Sequence, residues 1–162
     1  MNKKNMEKVS ITEADLENPD DAAALLHLVN RYAADPMGRG RELDKEVRER
    51  LIGELRQFPG AFAFLARLEG KPVGVAVCFY GFSTFHGARL INIHDLGVLE
   101  EYRGRGIGRA LLKKVEQKAR ESGCCKLTLE VREDNPASRL YERAGFRLGD
   151  PMFWFMTLET ST

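Results

Sequence analysis

The chain has 162 residues and a formal net charge of +1, which is typical of one domain and excludes the strongly basic surface of a general nucleic-acid binder. Hydrophobic residues make up 43% and charged residues 30%, and no apolar run is long enough to span a membrane. The N-terminus lacks the apolar stretch of a secretory signal. We therefore expect a single cytoplasmic domain over residues 1–162 that binds neither nucleic acid nor membrane.

The first half of the chain predicts a strand, two amphipathic helices and a hairpin. Apolar and polar side chains alternate over residues 7–13, and Asn18-Pro19 opens a run whose leucines recur at helical spacing. The short stretch EGKP then separates two apolar runs, as in a tight hairpin. The predicted elements are a strand at 7–13, helices at 18–35 and 41–58, and hairpin strands at 61–68 and 73–82.

The second half predicts strands interleaved with helices. A short helix begins at Asn135-Pro136 and ends at Gly145, which are ordinary start and stop signals. The predicted elements are strands at 89–98, 125–131, 146–149 and 152–159, and helices at 106–121 and 135–145. Because strands precede and follow the helices, this order predicts a mixed α/β sheet with helices packed against it.

The cysteines indicate neither a disulfide framework nor a metal site. Cys78, Cys124 and Cys125 lack the paired spacing of zinc ligands, and adjacent cysteines rarely bridge each other. We expect reduced thiols, two or more of them buried in strands, and no bound metal.

The stretch RGRGIG, residues 103–108, has three interpretations. One is an ordinary loop with exposed arginines. A dinucleotide fingerprint fits poorly, because its third glycine would fall at Arg109, and the GK[ST] of a P-loop is missing. The third is a phosphate cradle, in which glycines allow close backbone approach, N–H groups at a helix start face the anion, and arginines add charge.

Two motifs carry a family resemblance. LGVLEEYRGRGIGRALL resembles the acetyl-CoA-binding motif of the GNAT N-acetyltransferases, Arg/Gln-x-x-Gly-x-Gly/Ala, with Arg103, Gly106 and Gly108 at its positions. NPASRLYERAGF resembles the family's later segment, in which an Asn precedes a helix that carries a Tyr, and Gly-Phe follows. The resemblance spans about residues 60–158, and two motifs at the expected separation are more specific than one.

The resemblance implies a fold and a cosubstrate. The fold is a central twisted, mostly antiparallel sheet with a splayed parallel strand pair and helices on both faces. The cosubstrate is acetyl-CoA, whose pantetheine pairs with strand backbone and whose diphosphate lies on the N–H groups at the helix start. The cofactor-binding residues so implied are Leu96, Val98, Arg103, Gly104, Arg105, Gly106, Ile107, Gly108, Arg109 and Asn135.

The implied reaction is direct transfer of an acetyl group to a primary amine of a small molecule. An alkyl amine has a pKa near ~10.4, so neutralising it at pH 7 costs about 4 to 5 kcal/mol and a base helps. Tyr141 is the implied acid for the leaving thiolate, with a core aromatic as the alternative. His94 is the candidate base, with a histidine satisfied by a backbone carbonyl as the alternative.

The strand before the glycine loop carries His94 and Asp95 side by side. Because neighbours on a strand point to opposite faces, we expect only one of them in the cleft. FYGFSTFHG and INIHDLGV resemble the diamine and thialysine acetyltransferase branch, in which a Glu-Asp pair serves the amine. Here His94 replaces the Glu, which weakens the attraction for a polyamine. The implied substrate-binding residues are Asp95, Tyr80 and Phe82, with strand core as the alternative for the aromatic ones.

Other functions and assembly states remain open. One alternative is a regulatory module that binds acyl-CoA without catalysis, and another is acetylation of a protein N-terminus or lysine. The apolar segment MFWFM predicts a homodimer surface, with a core strand as the alternative.

Overall fold

The computed structural model describes residues 9–152 and 155–160 and contains a five-stranded sheet. Its strands lie side by side in chain order, and each pair is antiparallel except the last, which is parallel. The elements are β1 (Val9–Glu13), α1 (Pro19–Ala34), α2 (Lys45–Gln57), β2 (Ala61–Leu68), β3 (Lys71–Ser83), β4 (Ala88–Val98), α3 (Ile107–Glu121), β5 (Leu127–Leu129) and α4 (Ser138–Arg143). None of these helices combines the length and apolar character needed to cross a membrane.

α1 begins at the predicted position because Asn18 caps it. The Asn18 side chain accepts hydrogen bonds from the N–H groups of Asp20 at 2.9 Å and Asp21 at 3.4 Å, and Pro19 fills the first helical position, where no N–H is needed. The Asp21 carboxylate also pairs with Arg67 of β2 at 2.6 Å, with both side chains largely buried. This pair attaches the start of α1 to the sheet.

The helices cover both faces of the sheet. α1 and α2 pack on one face, over inward side chains of β2 and β3 such as Leu65, Val75 and Val77. α3 packs on the other face, where its apolar stripe meets alternate residues of the same strands. The fully buried part of that stripe is Ile107, Leu111 and Val115. These layers confirm the predicted α/β sheet with helices on both faces.

β4 contains a β-bulge at His94. Ile93 lies opposite Cys78 of β3, and Asp95 lies opposite the preceding residue, Val77. His94 is therefore the extra residue on β4, between two positions that are paired in the ladder. A bulge of this kind bends the strand and changes the direction in which nearby side chains point.

The bulge keeps one side of β4 apolar along its whole length. Ile91 and Ile93 before the bulge pack toward α3, and so do Leu96 and Val98 after it. The interval between these apolar positions is two residues, then three, then two again. If His94 instead took an ordinary paired place in the ladder, strict alternation would turn the second half of the strand over. Gly97 consequently faces α1, where a Cβ atom would lie 3.2 Å from the Tyr32 ring.

β4 and β5 pair over three residues and then diverge. The parallel ladder runs from Ile91 opposite Leu127 to Ile93 opposite Leu129, after which β4 continues to Val98 and β5 ends. β5 is thus shorter than the predicted strand at 125–131. This divergence is the splayed parallel pair that the family resemblance implies.

The predicted closing strands are wrong for the residues that the structure describes. Residues 146–149, 152 and 155–160 are not in strands, and positions 153 and 154 of the predicted strand lie outside the described residues. Phe155 is 79% exposed and Met156 is 88% exposed. A strand needs a hydrogen-bonded neighbour and a buried face, whereas residues 147–149, 152 and 155–160 are all exposed.

The cysteine prediction is only partly correct. Cys78 is buried in β3, whereas Cys124 is half-buried and Cys125 is exposed. Both of the latter precede β5, which begins only at Leu127, so a single thiol is buried in a strand. Burial raises the pKa of Cys78 to about 12, with a smaller contribution from Asp95, which leaves that thiol protonated and unreactive.

Candidate active site

A cleft of about 60 Å³ opens where β4 and β5 diverge; we call it the β4–β5 cleft. Its walls come from the two strand ends, from α1 with the turn that follows it, and from α4. Four residues predicted for the site line it, namely His94, Leu96, Asn135 and Tyr141. Residues from distant parts of the chain therefore meet where the fold leaves strand backbone unpaired by a neighbour.

The start of α3 offers backbone donors. The first intrahelical hydrogen bond is donated by Ala110 to the Gly106 carbonyl at 3.0 Å, so the N–H groups of residues 107–109 precede the helical ladder. The helix dipole also makes this end positive. Such a terminus attracts an anion, and a phosphate is the anion that proteins most often place there.

Gly106 and Gly108 are glycines for different structural reasons. Gly106 caps α3 with φ of 80°, a left-handed conformation that side chains rarely adopt. Gly108 lies inside the helix, where a Cβ atom would be 3.1 Å from Leu140 of α4 and 4.0 Å from Val98 of β4. The first turn of α3 is thus packed tightly between the end of β4 and the helix that carries Tyr141.

Arg103 contacts the end of α1 and the end of β4. Its guanidinium donates a hydrogen bond to the Asp35 carboxylate at the end of α1, and its Nε donates another to the Val98 carbonyl at 3.0 Å. The hydrogen bond from Arg103 lowers the pKa of Asp35, and the N–H of Met37 adds to this effect. Arg103 and the Val98 carbonyl therefore bond to each other, although the resemblance assigns both to the cofactor.

The other two arginines of the loop remain near the helix start. The Arg105 guanidinium lies over the Tyr102 ring, 5.4 Å from its centroid. Arg109 is exposed on the first turn of α3. Gly104, between Arg103 and Arg105, has φ of 75° and no atom within 4 Å of a Cβ position, so the loop backbone is accessible there.

The turn after α1, residues 35–40, is hydrogen-bonded to the segments that follow β4 and β5. Asp35 reaches Arg103, which follows β4, and the Pro36 carbonyl accepts a hydrogen bond at 3.1 Å from Arg132, which follows β5. Met37 lines the β4–β5 cleft between these two attachments. The turn therefore bridges the two sides of the cleft.

Tyr141 lines the cleft from α4. Burial raises its pKa to about 12, and the neighbouring Tyr32 adds a smaller effect, so the phenol is protonated at neutral pH. Its ring meets the Phe146 ring edge to face, with centroids 6.1 Å apart. Asn135 precedes the same helix, and its side chain accepts a hydrogen bond from the Ala137 N–H at 2.9 Å. Asn135 thereby shapes the turn that leads into the Tyr141 helix.

His94 and Asp95 face the same side of the sheet, but only His94 lines the β4–β5 cleft, so one of the two lies in the cleft as expected. Asp95, expected to bind the substrate, is not among the residues that line this cleft. The His94 ring meets the Phe79 ring edge to face at 5.4 Å, and Phe79 packs under α1 and α2. Asp95 lies opposite Val77, which belongs to the same core. The bulge interrupts the alternation on which the expectation was based. Burial raises the pKa of Asp95, and the nearby His94 opposes this rise.

Tyr80 and Phe82 do not lie in the β4–β5 cleft, which corrects their assignment to the acceptor pocket. Tyr80 faces α3, where its hydroxyl is hydrogen-bonded to Ser122 at 2.8 Å and its ring packs on Phe62. Phe82 is 62% exposed toward the end of β3. Alternation along β3 sends Phe79, not Tyr80, to the face of His94.

Two residues of the cleft have little signal in the sequence. Tyr32 lines both the β4–β5 cleft and a second cleft of about 180 Å³ between α1 and the end of β4. Burial raises its pKa, and the charges of Asp95 and Asp35 raise it further. The Glu130 carboxylate accepts hydrogen bonds from Asn92 at 3.3 Å. Glu130 lies next to the end of the strand predicted at 125–131, and ligands often bind at the end of a parallel strand. Tyr32, by contrast, is identified only by the fold.

Within residues 9–152 and 155–160, no group of three or more His, Cys, Asp and Glu side chains is arranged to hold a metal ion.

The arrangement has a counterpart in known proteins. The sequence profile of the acetyltransferase (GNAT) family matches residues 24–146, a stretch that contains the bulge at His94, the start of α3 and Tyr141. This stretch is more than half of the chain. The chain therefore belongs to the acetyltransferase (GNAT) family.

Individual relatives are similar over part or all of their length. The chain is 37% identical over 100 residues to a thialysine N-epsilon-acetyltransferase of Bos taurus, over 58% of each protein. It is 36% identical over 103 residues to an uncharacterized N-acetyltransferase of Chlorobaculum tepidum, over 64% of this chain and 57% of that protein. The chain thus matches less than two thirds of the length of these relatives.

A solved structure extends the likeness to the whole fold. The ribosomal-protein-alanine N-acetyltransferase from Brucella melitensis biovar Abortus 2308 superposes with a TM-score of 0.73 at 25% identity, covering 93% of this chain and all of that one. The layers and the strand order described above are therefore those of a known acetyltransferase fold.

The buried Asp95 predicts a pH-dependent gain in stability on neutralisation. Because the folded-state pKa of Asp95 is raised, its ionisation opposes folding at neutral pH, and this cost disappears below the unfolded pKa of about 3.9. Asp95→Asn should therefore be more stable than the wild type in urea at pH 7, by a margin that shrinks toward pH 4. Asp20→Asn, at the exposed start of α1, should instead lose a little stability. A pH-independent gain for Asp95→Asn would contradict the assignment.

Proposed function

We propose that the chain is an acetyl-CoA-dependent N-acetyltransferase that acts on a primary amine of a small molecule. The observation that carries the proposal is the β4–β5 cleft, with Tyr141 in its wall and the start of α3 packed beside it. Membership of the acetyltransferase family supports the reaction class. The thialysine and ribosomal-protein-alanine enzymes named above act on amines, which supports the acceptor chemistry.

The residues present fit coenzyme A by their donor chemistry. The N–H groups of residues 107–109, the dipole of α3 and the exposed Arg109 suit a diphosphate. The edge of β4 beyond Ile93, at Leu96, suits the amides of pantetheine, because the ladder to β5 has already ended. When bound, the cosubstrate supplies a thioester carbon for attack by the amine.

Proton removal from the acceptor falls to side chains on the cleft wall. The ammonium of an alkyl amine must lose a proton before its nitrogen can form the new C–N bond, which costs about 4 to 5 kcal/mol at pH 7. His94 and Glu130 both line the cleft, and either carries a group that accepts a proton. We assign the base role to His94, since histidine balances proton uptake and release near neutral pH.

Tyr141 provides the proton for the sulfur when the C–S bond breaks. A phenol with a pKa of about 12 holds its proton at neutral pH, so the donor form is always present. Full transfer to a thiolate with an ordinary pKa of about 8.5 is uphill by about 4 to 5 kcal/mol. The same burial raises the pKa of a thiolate placed beside Tyr141, which reduces that difference. Tyr141 therefore first donates a strong hydrogen bond to the sulfur and transfers its proton as negative charge develops there.

We also infer that two copies of the chain associate through the closing segment. Its described apolar side chains are 70% or more exposed, which supports a surface that another copy covers; they are Leu148, Met152, Phe155, Met156 and Leu158. Light scattering should give twice the mass of one chain. A monomer at micromolar concentration would contradict this assembly.

The acid role of Tyr141 predicts a loss of turnover without a loss of binding. Tyr141→Phe removes the proton donor and keeps the ring, so kcat should fall by about 10² to 10⁴, while calorimetry finds unchanged acetyl-CoA affinity. Tyr80→Phe is the matched control, since its hydroxyl bonds Ser122 on the other face and its loss should lower stability by about 1 kcal/mol only. Full turnover in Tyr141→Phe would contradict the role, and no heat with acetyl-CoA would overturn the proposed function.

The base role of His94 predicts a change in the pH profile. kcat/KM of the wild type should rise with pH as the base loses its proton, and His94→Gln should remove this limb. His27→Gln, on the exposed side of α1, should keep it. A limb that survives in His94→Gln but disappears in Glu130→Gln would assign the base to Glu130 instead.

A further inference from the structure

Three rings form a row that leads from the protein surface to the β4–β5 cleft. Phe58 follows α2 and is 57% exposed. Its ring meets Phe79 of β3 edge to face with centroids 5.4 Å apart, and Phe79 meets His94 of β4 in the same way at 5.4 Å. We call Phe58, Phe79 and His94 the aromatic row. Its inner end, His94, is a wall of the cleft.

A polar strip lies beside the aromatic row on the same face of the sheet. Asn92 is opposite Phe79 in the ladder and therefore shares its face. The Asn92 side chain donates hydrogen bonds to Thr128 at 3.1 Å and to the Glu130 carboxylate at 3.3 Å. Asn92 thus restrains Glu130 at the edge of the cleft. The resulting surface has a carboxylate on one side and aromatic rings on the other.

This surface matches an amine joined to an apolar group. A carboxylate attracts the ammonium of the acceptor. An apolar group on the acceptor stabilises the complex when it covers an exposed aromatic side chain. A polyamine would gain less from the aromatic row, because its second ammonium buries no apolar surface there and a cation–π contact at an exposed ring is weak. The pairing of the two features therefore favours a monoamine with a hydrophobic body over a dication.

We propose that Phe58 and Phe79 select acceptors in which a primary amine carries an aromatic or other apolar group a few bonds from the nitrogen. The inference rests on the proposed function, since it concerns the acceptor side of the same cleft. The amine lies between His94 and Glu130, and the apolar group lies along Phe79 and Phe58. Phe58 is thus a specificity-determining residue of the acceptor site.

A purely structural role of Phe58 makes a different prediction. Its ring contacts Phe79 while more than half of it stays exposed, so truncation removes little buried area and costs little stability. If Phe58 only packs against Phe79, its loss should affect all amines equally. If it binds the acceptor, its loss should affect only amines with an apolar body.

The test compares two acceptors, 2-phenylethylamine and ethylamine, by the release of thiol from acetyl-CoA. The wild type should have a kcat/KM for 2-phenylethylamine at least about tenfold above that for ethylamine, the scale of discrimination that an apolar contact provides. Phe58→Ala should lose most of that ratio through the aromatic substrate alone. Phe82→Ala, which removes another exposed ring outside the row, should keep it.

The outcomes separate the inference from the function on which it rests. Glu130→Gln should weaken both amines by a similar factor, since both carry the ammonium. If the wild type acetylates both amines equally, or if Phe58→Ala keeps the ratio, the inference is overturned and the proposed function stands. If the wild type binds no acetyl-CoA and releases no thiol with either amine, both are overturned. A wild-type ratio near one overturns the inference even if Phe58→Ala fails to fold, and Phe58→Leu, which keeps an apolar side chain but removes the ring, should lower the ratio in its place.

Discussion

The three-residue ladder between β4 and β5 is the constraint on which the site depends. If the two parallel strands stayed paired, their facing N–H and C=O groups would hydrogen-bond to each other and no cleft would open between them. Because pairing ends at Ile93, β4 extends five residues further without β5 beside it. The cleft, the access to strand backbone and the position of Tyr141 all follow from this divergence. The tight fit of Gly108 against Leu140 and Val98 then sets the start of α3 beside it.

The charged groups around the cleft connect elements that are distant in the chain. Asp35 and Arg103 are 68 positions apart, and Pro36 and Arg132 are 96 apart, yet both pairs meet at the turn after α1. α1 and the glycine-rich loop before α3 therefore share the Asp35–Arg103 pair. Since Arg103 is half exposed, this contact adds little to global stability, and its effect is to fix where the turn lies.

The sequence predicts most of the fold because most of its signals are local. Asn18-Pro19, the helical spacing of the leucines in α1 and the EGKP hairpin each specify an element within a few residues, and these elements are confirmed. The predicted strands at 146–149 and 152–159 are wrong for the described residues, because apolar composition alone does not provide a pairing partner. The assignment of Tyr80 to the acceptor site is wrong for a similar reason. Alternation shows which residues of a strand share a face, but it does not show which of the two faces α1 covers and which α3 covers. The faces are defined only when α1 and α3 pack.

The site residues likewise divide into those with a local signal in the sequence and those placed only by tertiary packing. His94, Leu96, Asn135 and Tyr141 lie in motifs and meet in one cleft, as the resemblance implies. Tyr32 could not be predicted, because an aromatic residue on a helix reaches the cleft only through tertiary packing. The ion pair between Asp35 and Arg103 could not be predicted either, since the two residues are far apart in sequence and share no motif. The bulge, by contrast, is visible in hindsight as the three-residue interval from Ile93 to Leu96.

That interval makes His94 a residue that the core of β4 does not require. Deleting His94 would leave plain alternation, with Ile91, Ile93, Leu96 and Val98 still on one side and Gly97 still toward the Tyr32 ring. The core could therefore form without the bulge, whereas the ring that lies between Phe79 and the cleft would be lost. A single deletion at this position would leave the sheet in register and remove a side chain from the candidate site.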